Sequence, residues 1–343
     1  MSLSAIVAAL MMANVNAFEH PVSGLTVRGS HLTYLGHPVT LRGVCVGDIV
    51  LARRNRPDDD DYRSISEDWH ANCVRIGVAP TTWRNAHKAA VMRILKAEVD
   101  LALKHRMFVL IDWHAISWPD GYRERPGGIG DPDDLYDGNF ALATDFWQHC
   151  AKQFGADQRV AFQLWCEPVY QEFDAKTPLG SAWKDLKPYF EKLTHTIRSQ
   201  GSKNLVLASG NRWAYDLVGI KEDLLKDPNT AYMWHVYGGH DGNDPTKWGE
   251  KLADLQRVAP VLVTEWGFEA NTTEHFKGTD VNFGRPFLKF MEDRGLSWFA
   301  WCWHNTWTPA LLENDWKTPT PYGRFVKGSL QQLNQNAVRP SAR

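Results

Sequence analysis

The strongest constraint on this chain is a rhythm. Eight short, nearly uninterrupted apolar runs recur along it: 40–46 (TLRGVCV), 72–78 (NCVRIGV), 107–114 (MFVLIDWH), 160–167 (VAFQLWCE), 204–209 (NLVLAS), 231–237 (AYMWHVY), 260–266 (PVLVTEW) and 296–303 (LSWFAWCW). Strands that are apolar on both faces must be covered on both faces, as parallel strands are. Stretches of helical periodicity separate the runs. The clearest, 86–105, puts Val91, Ile94, Leu95, Val99 and Ala102 on one side. Eight strand–helix units in about 300 residues are the arithmetic of a single (β/α)8 TIM barrel. A doubly wound sheet is the alternative, but it normally has fewer strands.

The length of 343 residues would allow two domains. Residues 40–330 contain no Gly/Ser/Pro-rich linker, so 18–335 reads as one domain. Residues 336–343 are polar and read as a flexible tail. Residues 1–17 contain the apolar stretch Ala5 to Met12 and then Val15-Asn16-Ala17, which fits a small-residue cleavage site. They lack Lys and Arg, so they read either as an atypical signal peptide, implying a secreted or periplasmic protein, or as a disposable N-terminal helix. No later run reaches the ~18 apolar residues of a membrane span.

Several function classes fall away. The net charge of −2 gives no bulk attraction to nucleic acid or anionic membrane. No GxGxxG or GxxxxGK[ST] turn follows a strand, so no nucleotide cofactor is expected. The five cysteines form no CxxC pair, and His114, His235 and His240 have no close ligand partner, so no metal is expected. Their odd number leaves at least one thiol without an intrachain disulfide. The acidic run Asp58 to Asp61 reads as a solvated charged loop.

What remains is the polar set at the strand ends. A TIM barrel builds its active site at the C-terminal ends of its strands. There the second run carries Arg75, the third ends in Asp112-Trp113-His114, and the fourth ends in Cys166-Glu167. The sixth carries His235 and Tyr237, the seventh ends in Glu265, and the eighth carries Trp301 and Trp303. Buried charges cost several kcal/mol unless paired, so these groups are expected to pair across the barrel mouth. Two facing carboxylates, one protonated and one ionised, are the requirement for cleaving a glycosidic bond. Arg75 and Tyr237 suit holding one of them ionised. The 16 Trp suit a groove that stacks sugar rings, and Trp213 at the end of the fifth run is one candidate. The loop from Ser117 to Asn139 is long enough to narrow such a groove.

These pieces, taken in order, resemble family 5 of the glycoside hydrolases, in the clan of retaining β-glycosidases. The matching segments are RGV (42–44), N-x-VRI (72–76), IDWH (111–114), L-W-x-EP (164–168), HVY (235–237), TEWG (264–267) and SW-x-x-W (297–301). The resemblance implies that Glu167 is the general acid/base and Glu265 the nucleophile. It implies that Arg75 and Tyr237 orient Glu265 and that His235 stands near Glu167. It further implies that His114 binds sugar hydroxyls and that Trp301, or Trp303 on the same strand face, underlies that sugar. One departure stands out: the family has Asn before the acid/base, where its amide binds the sugar 2-hydroxyl, and this chain has Cys166. A thiol is a weak donor and a weak acceptor.

The resemblance implies a monomeric enzyme that hydrolyses β-1,4-glucan internally by double displacement, with a polysaccharide or oligosaccharide as its only partner. β-Mannan or another β-glycan is the alternative substrate. A weakly active carbohydrate-binding protein and a transglycosylase are the rival classes.

Overall fold

In the computed structural model, residues 24–51, 58–119, 135–136, 139–169, 179–180, 182–240, 244–272 and 274–342 are described. The segment 1–17 and most of the loop 117–139 lie outside the described residues.

The chain enters through a small antiparallel sheet, β1 (Leu25–Arg28), β2 (His31–Tyr34) and β3 (His37–Pro38), of which the apolar rhythm gives no hint. Then all eight runs become strands: β4 (Arg42–Asp48), β5 (Cys73–Val78), β6 (Phe108–Trp113), β7 (Val160–Gln163), β8 (Val206–Ala208), β9 (Thr230–Tyr237), β10 (Val261–Gly267) and β11 (Ser297–Ala300). Each pairs in parallel with the next, and β11 returns to β4, closing the barrel. Helices pack around it, among them α1 (Asp59–Arg63), α2 (Pro80–Asn85), α3 (Lys88–Lys104), α4 (Phe140–Phe154), α5 (Trp183–Arg198), α6 (Pro245–Leu252), α7 (Arg285–Glu292) and α8 (Pro321–Leu333). The expected helix 86–105 is α3, which buries Val91, Leu95, Val99 and Ala102.

The core divides as a barrel requires. Val44, Val74, Ile76, Val109, Ile111 and Phe162 belong to the layer between strands and helices. Cys45, Cys73, Leu110, Ala161, Leu207, Met233, Leu262 and Phe299 fill the interior. Leu25, Leu32, Tyr34 and Val39 of the entry sheet join this interior cluster and form its floor, with the Tyr34 ring edge-on to Phe108 at 4.9 Å. All five cysteines are free and buried.

Two expectations are corrected. Residues 336–342 are no loose tail. The Val338 carbonyl accepts from Asn72 Nδ2, the Ser341 carbonyl accepts from Arg159 Nη1 at 2.7 Å, and Arg339 donates to Ser66. Backbone carbonyls that accept from Asn72 and Arg159, and a guanidinium that finds Ser66, hold the segment against the barrel. The acidic run 58–61 is no loop either. Asp58 caps α1, accepting from the Asp60 and Asp61 amides, because carboxylates suit the positive end of a helix.

Candidate active site

Arg75 organises the barrel mouth. Its guanidinium is fully enclosed and must be neutralised there. Nη1 donates to Glu265 Oε1 at 2.9 Å, Nη2 to Asp112 Oδ2 at 2.8 Å, and Nε to Gln163 Oε1 at 3.1 Å. Two thiols complete the shell, Cys166 Sγ 3.1 Å from Nη2 and Cys45 Sγ 3.6 Å from Nη1. Burial pushes the Cys45 thiol up to about 12 and the Cys166 thiol well above its ordinary range, so both stay protonated. The Cys166 thiol therefore donates to Glu265 Oε1, at 3.5 Å.

Glu265 reaches this position through a β-bulge. Val263 pairs with Trp234 and Glu265 with His235, so β10 carries one extra residue, Thr264. Leu262 points into the barrel, and simple alternation would turn Glu265 outward. The bulge turns it back in. Thr264 itself bonds His235 Nε2 at 2.9 Å and accepts the Cys45 thiol on its carbonyl at 3.2 Å.

The two carboxylates have opposite surroundings. Burial opposes charge on Glu265, but His235, Arg75, His114 and the Tyr237 hydroxyl, which donates to Oε2 at 2.5 Å, together hold it down at about 2. Burial raises Glu167 above its ordinary value, as does the charge of Glu265. His235 Nδ1, 2.8 Å from Glu167 Oε1, only partly offsets this. The same nitrogen lies 3.7 Å from Glu265 Oε2, so the two carboxylate oxygens stand within about 6.5 Å of each other. Beyond the end of β7, the chain stays against β6 through Cys166 N–H to the Trp113 carbonyl and Glu167 N–H to the Ala115 carbonyl, each 2.9 Å. That ladder fixes the second carboxylate.

The remaining expected residues divide. His114 Nδ1 is 2.7 Å from Asp112 Oδ2, and its ring lies parallel to Trp301, centroids 5.4 Å apart. Trp301 is half-buried. Trp213 is also half-buried, and its amide donates to the carbonyl of Pro168, next to Glu167. It sits in a left-handed turn in which Arg212, Trp213 and Ala214 have φ of 56°, 55° and 59°. Three consecutive residues in that region cost free energy that the surrounding structure must offset. Cys166 is wholly enclosed and turned toward Arg75 and Glu265. Trp303 departs from expectation. β11 ends at Ala300, so strand alternation does not carry Trp303 to the face of Trp301. It is buried edge-on to Trp69 at 4.9 Å, and its Nε1–H donates to Asp61.

Residues outside the expected set also enter the site. Asp112 and Gln163 stand in the sequence as polar interruptions of apolar strands. Tyr136 is edge-on to His114 at 5.5 Å, and nothing in its loop sequence marks it. Ligand atoms of Asp112, His114 and Cys166, and of Cys166, His235 and Glu265, gather within 4.8 Å. Arg75 already binds Asp112, Cys166 and Glu265, so a cation would have to displace its guanidinium. A cavity of about 740 Å³ opens beside the rim, between the segments after β10 and β11. Its acids Glu269 and Glu313 are exposed and its Asp280 pairs with Arg285, so it lacks the buried pair.

A closed parallel barrel that brings two buried carboxylates together, from the end of the fourth barrel strand and from the seventh, defines a structural class, the (β/α)8 glycoside hydrolases. Within it the chain belongs to one family, Cellulase (glycosyl hydrolase family 5), whose sequence profile matches residues 33–306. It is similar to Cellulase CelDZ1 of a Thermoanaerobacterium species, 24% identical over 78% of this chain and 66% of that protein. It is also similar to Endoglucanase N of Pectobacterium atrosepticum, 26% identical over 78% of this chain and 54% of that protein. The chain thus spans about half to two-thirds of these relatives. Among solved structures, β-glucanase SdGluc5_26A from Saccharophagus degradans, in complex with cellotetraose, superposes with a TM-score of 0.80 at 24% identity, covering 91% of this chain and 94% of that one. The Thermobifida fusca endoglucanase Cel5A catalytic domain superposes at 0.74 with 20% identity, over 91% and 98%.

Proposed function

We propose that this protein is a retaining endo-β-1,4-glucanase. The observation that carries the reading is the opposed environment of two carboxylates that meet one nitrogen, His235 Nδ1, at 2.8 and 3.7 Å, so that these two oxygens are at most about 6.5 Å apart. Retention calls for ~5–5.5 Å between the carboxyl groups, whereas inversion needs ~6.5–9.5 Å to seat a water. In the first step Glu265 attacks the anomeric carbon, while Glu167 gives its proton to the departing glycosidic oxygen. In the second, Glu167 takes a proton from water, whose oxygen displaces Glu265 from the sugar. Arg75 and Tyr237 hold Glu265 ionised and aimed. His235 orients Glu167. His114 and Trp301 hold the sugar on the non-reducing side of the cut, and Trp213, tied to Pro168, offers a platform beyond Glu167. The names of the relatives support a β-1,4-glucan substrate.

One observation favours a second substrate. Cys166 leaves the sugar 2-position without an amide, and glucan and mannan differ there, so β-mannan is the alternative. A polymer substrate also implies action outside the cytoplasm. No helix among the described residues is long and apolar enough to cross a membrane.

The test is release of reducing ends from soluble β-1,4-glucan, mixed-linkage β-glucan and β-mannan by the parent and by Glu265→Gln. Release from glucan by the parent alone is expected. No release from any polymer by the parent would overturn the reading, and faster release from mannan would replace the substrate.

A further inference from the structure

Asp112 is wholly buried, yet only one of its oxygens is used. Oδ2 accepts from Arg75 Nη2 at 2.8 Å and from His114 Nδ1 at 2.7 Å. Oδ1 is enclosed and has no hydrogen-bond partner among the described residues. An unsatisfied buried carboxylate oxygen is costly and calls for a compensating role. Charge balance supplies one. Arg75 carries a single positive charge, shared between Asp112 and Glu265. Cys45, Cys166 and Gln163 around it are neutral. Arg75, Asp112 and Glu265 therefore carry one surplus negative charge among them, which the adjoining His114 and His235 are placed to offset, and of these two only His114 touches Asp112.

We propose that Asp112 is a positioning residue that works in two directions through one oxygen, bracing the arginine that holds the nucleophile and keeping His114 as the imidazolium that faces the sugar. Among the described residues, the other charged or titratable groups facing His114 are Arg75 on β5, Glu265 on β10, Cys166 and Glu167 beyond β7, and Tyr136. Trp301, beyond β11, covers one face of the ring without charge. Burial and Arg75 act against a proton on His114, and Asp112 outweighs them, so its pKa lies above the ordinary value. Replacing Asp112 by Asn removes the surplus charge. Arg75 and Glu265 then balance each other, and His114 loses the carboxylate that favours its proton.

This inference rests on the proposed glucanase reading. Asp112→Asn keeps the shape and still accepts a hydrogen bond. It is expected to lower kcat by about 10-fold or more through Arg75, and to raise KM several-fold through His114, scales typical of a perturbed supporting group. In a double-mutant cycle with His114→Ala, the KM effects should be strongly non-additive, with His114→Ala costing several-fold less in the Asn background. Proton NMR of the ring should show His114 titrating at lower pH in Asp112→Asn than in the parent. Additive effects on KM, or an unmoved His114 titration, would overturn the proposal. Should Asp112→Asn fail to fold, the titration of His114 in the folded parent decides: a pKa at or below the ordinary histidine value would contradict the role. An inactive parent would instead sink the glucanase reading, and the NMR titration would still judge Asp112.

Discussion

The two ends of the barrel are built from the same strands and the same inward-facing register, yet they do opposite things. At the floor, Leu25, Leu32, Tyr34 and Val39 of the entry sheet join Leu110, Ala161 and Leu205 in one apolar cluster. At the mouth, the inward positions are Arg75, Asp112, Gln163, His235 and Glu265. The floor gains free energy simply by leaving water. The mouth must neutralise each charge, and it does so with a network in which Arg75 alone has five partners. One barrel can thus separate stability from chemistry along its axis, and substitutions at the two ends should fail in different ways.

The largest effect is expected at the mouth. Glu265→Gln should lower kcat by more than ~10³-fold, as loss of a nucleophile does, while circular dichroism stays that of a folded barrel. Glu167→Gln should cost ~10²–10⁴-fold on polymer but far less on an aryl glycoside with a good leaving group, which does not need the proton. Equal losses on both substrates would remove Glu167 from the acid role. The floor should break the other way. Leu25→Ala is expected to lower stability by about 2–5 kcal/mol in denaturant unfolding, with kcat and KM of the folded enzyme unchanged. A large activity loss there would erase the division between the ends.

Two smaller effects sharpen it. The His235 hydrogen bond lowers the Glu167 pKa, so His235→Asn should move the alkaline limb of kcat/KM to higher pH. The sign follows because Glu167 must be protonated to act, and a higher pKa keeps it protonated further up the scale. On the acid side, Glu265 is held at about 2, so the stability its charge lends is full above the ordinary 4.5 and fades as pH falls toward 2. Glu265→Gln should therefore lose less stability across that window. The smallest change is expected at Cys166. An Asn amide can accept from Arg75 and donate to Glu265, the two contacts the thiol makes, so Cys166→Asn should keep or raise kcat/KM on β-glucans. A large loss would mean the thiol is matched to a different sugar.

The barrel is legible in the sequence because burial on both faces leaves an uninterrupted apolar signature in all eight strands. The carboxylates are legible because a charged residue ending such a strand must be neutralised within the fold, and the barrel mouth is where charges of both signs meet. Trp303 is not, because its place depends on where β11 stops. Glu265 falls on the right strand, but its inward direction depends on the extra residue Thr264, which strand alternation does not predict. The entry sheet and the docked residues 336–342 escape sequence reasoning because short, mixed-polarity segments carry no periodicity. Tyr136 escapes it because a loop residue gains its role only through folding. Asp112 stands in plain view in the third run, but its importance lies in having two partners on one oxygen.

The central claim is that Glu265 becomes covalently bound to sugar. An activated 2-deoxy-2-fluoro-cellobioside slows release of such an intermediate, and mass spectrometry of the digested protein locates it. The account predicts one glycosyl adduct, on the peptide containing Glu265, absent in Glu265→Gln. An adduct on another residue, or none in an enzyme that still cleaves glucan, would contradict it.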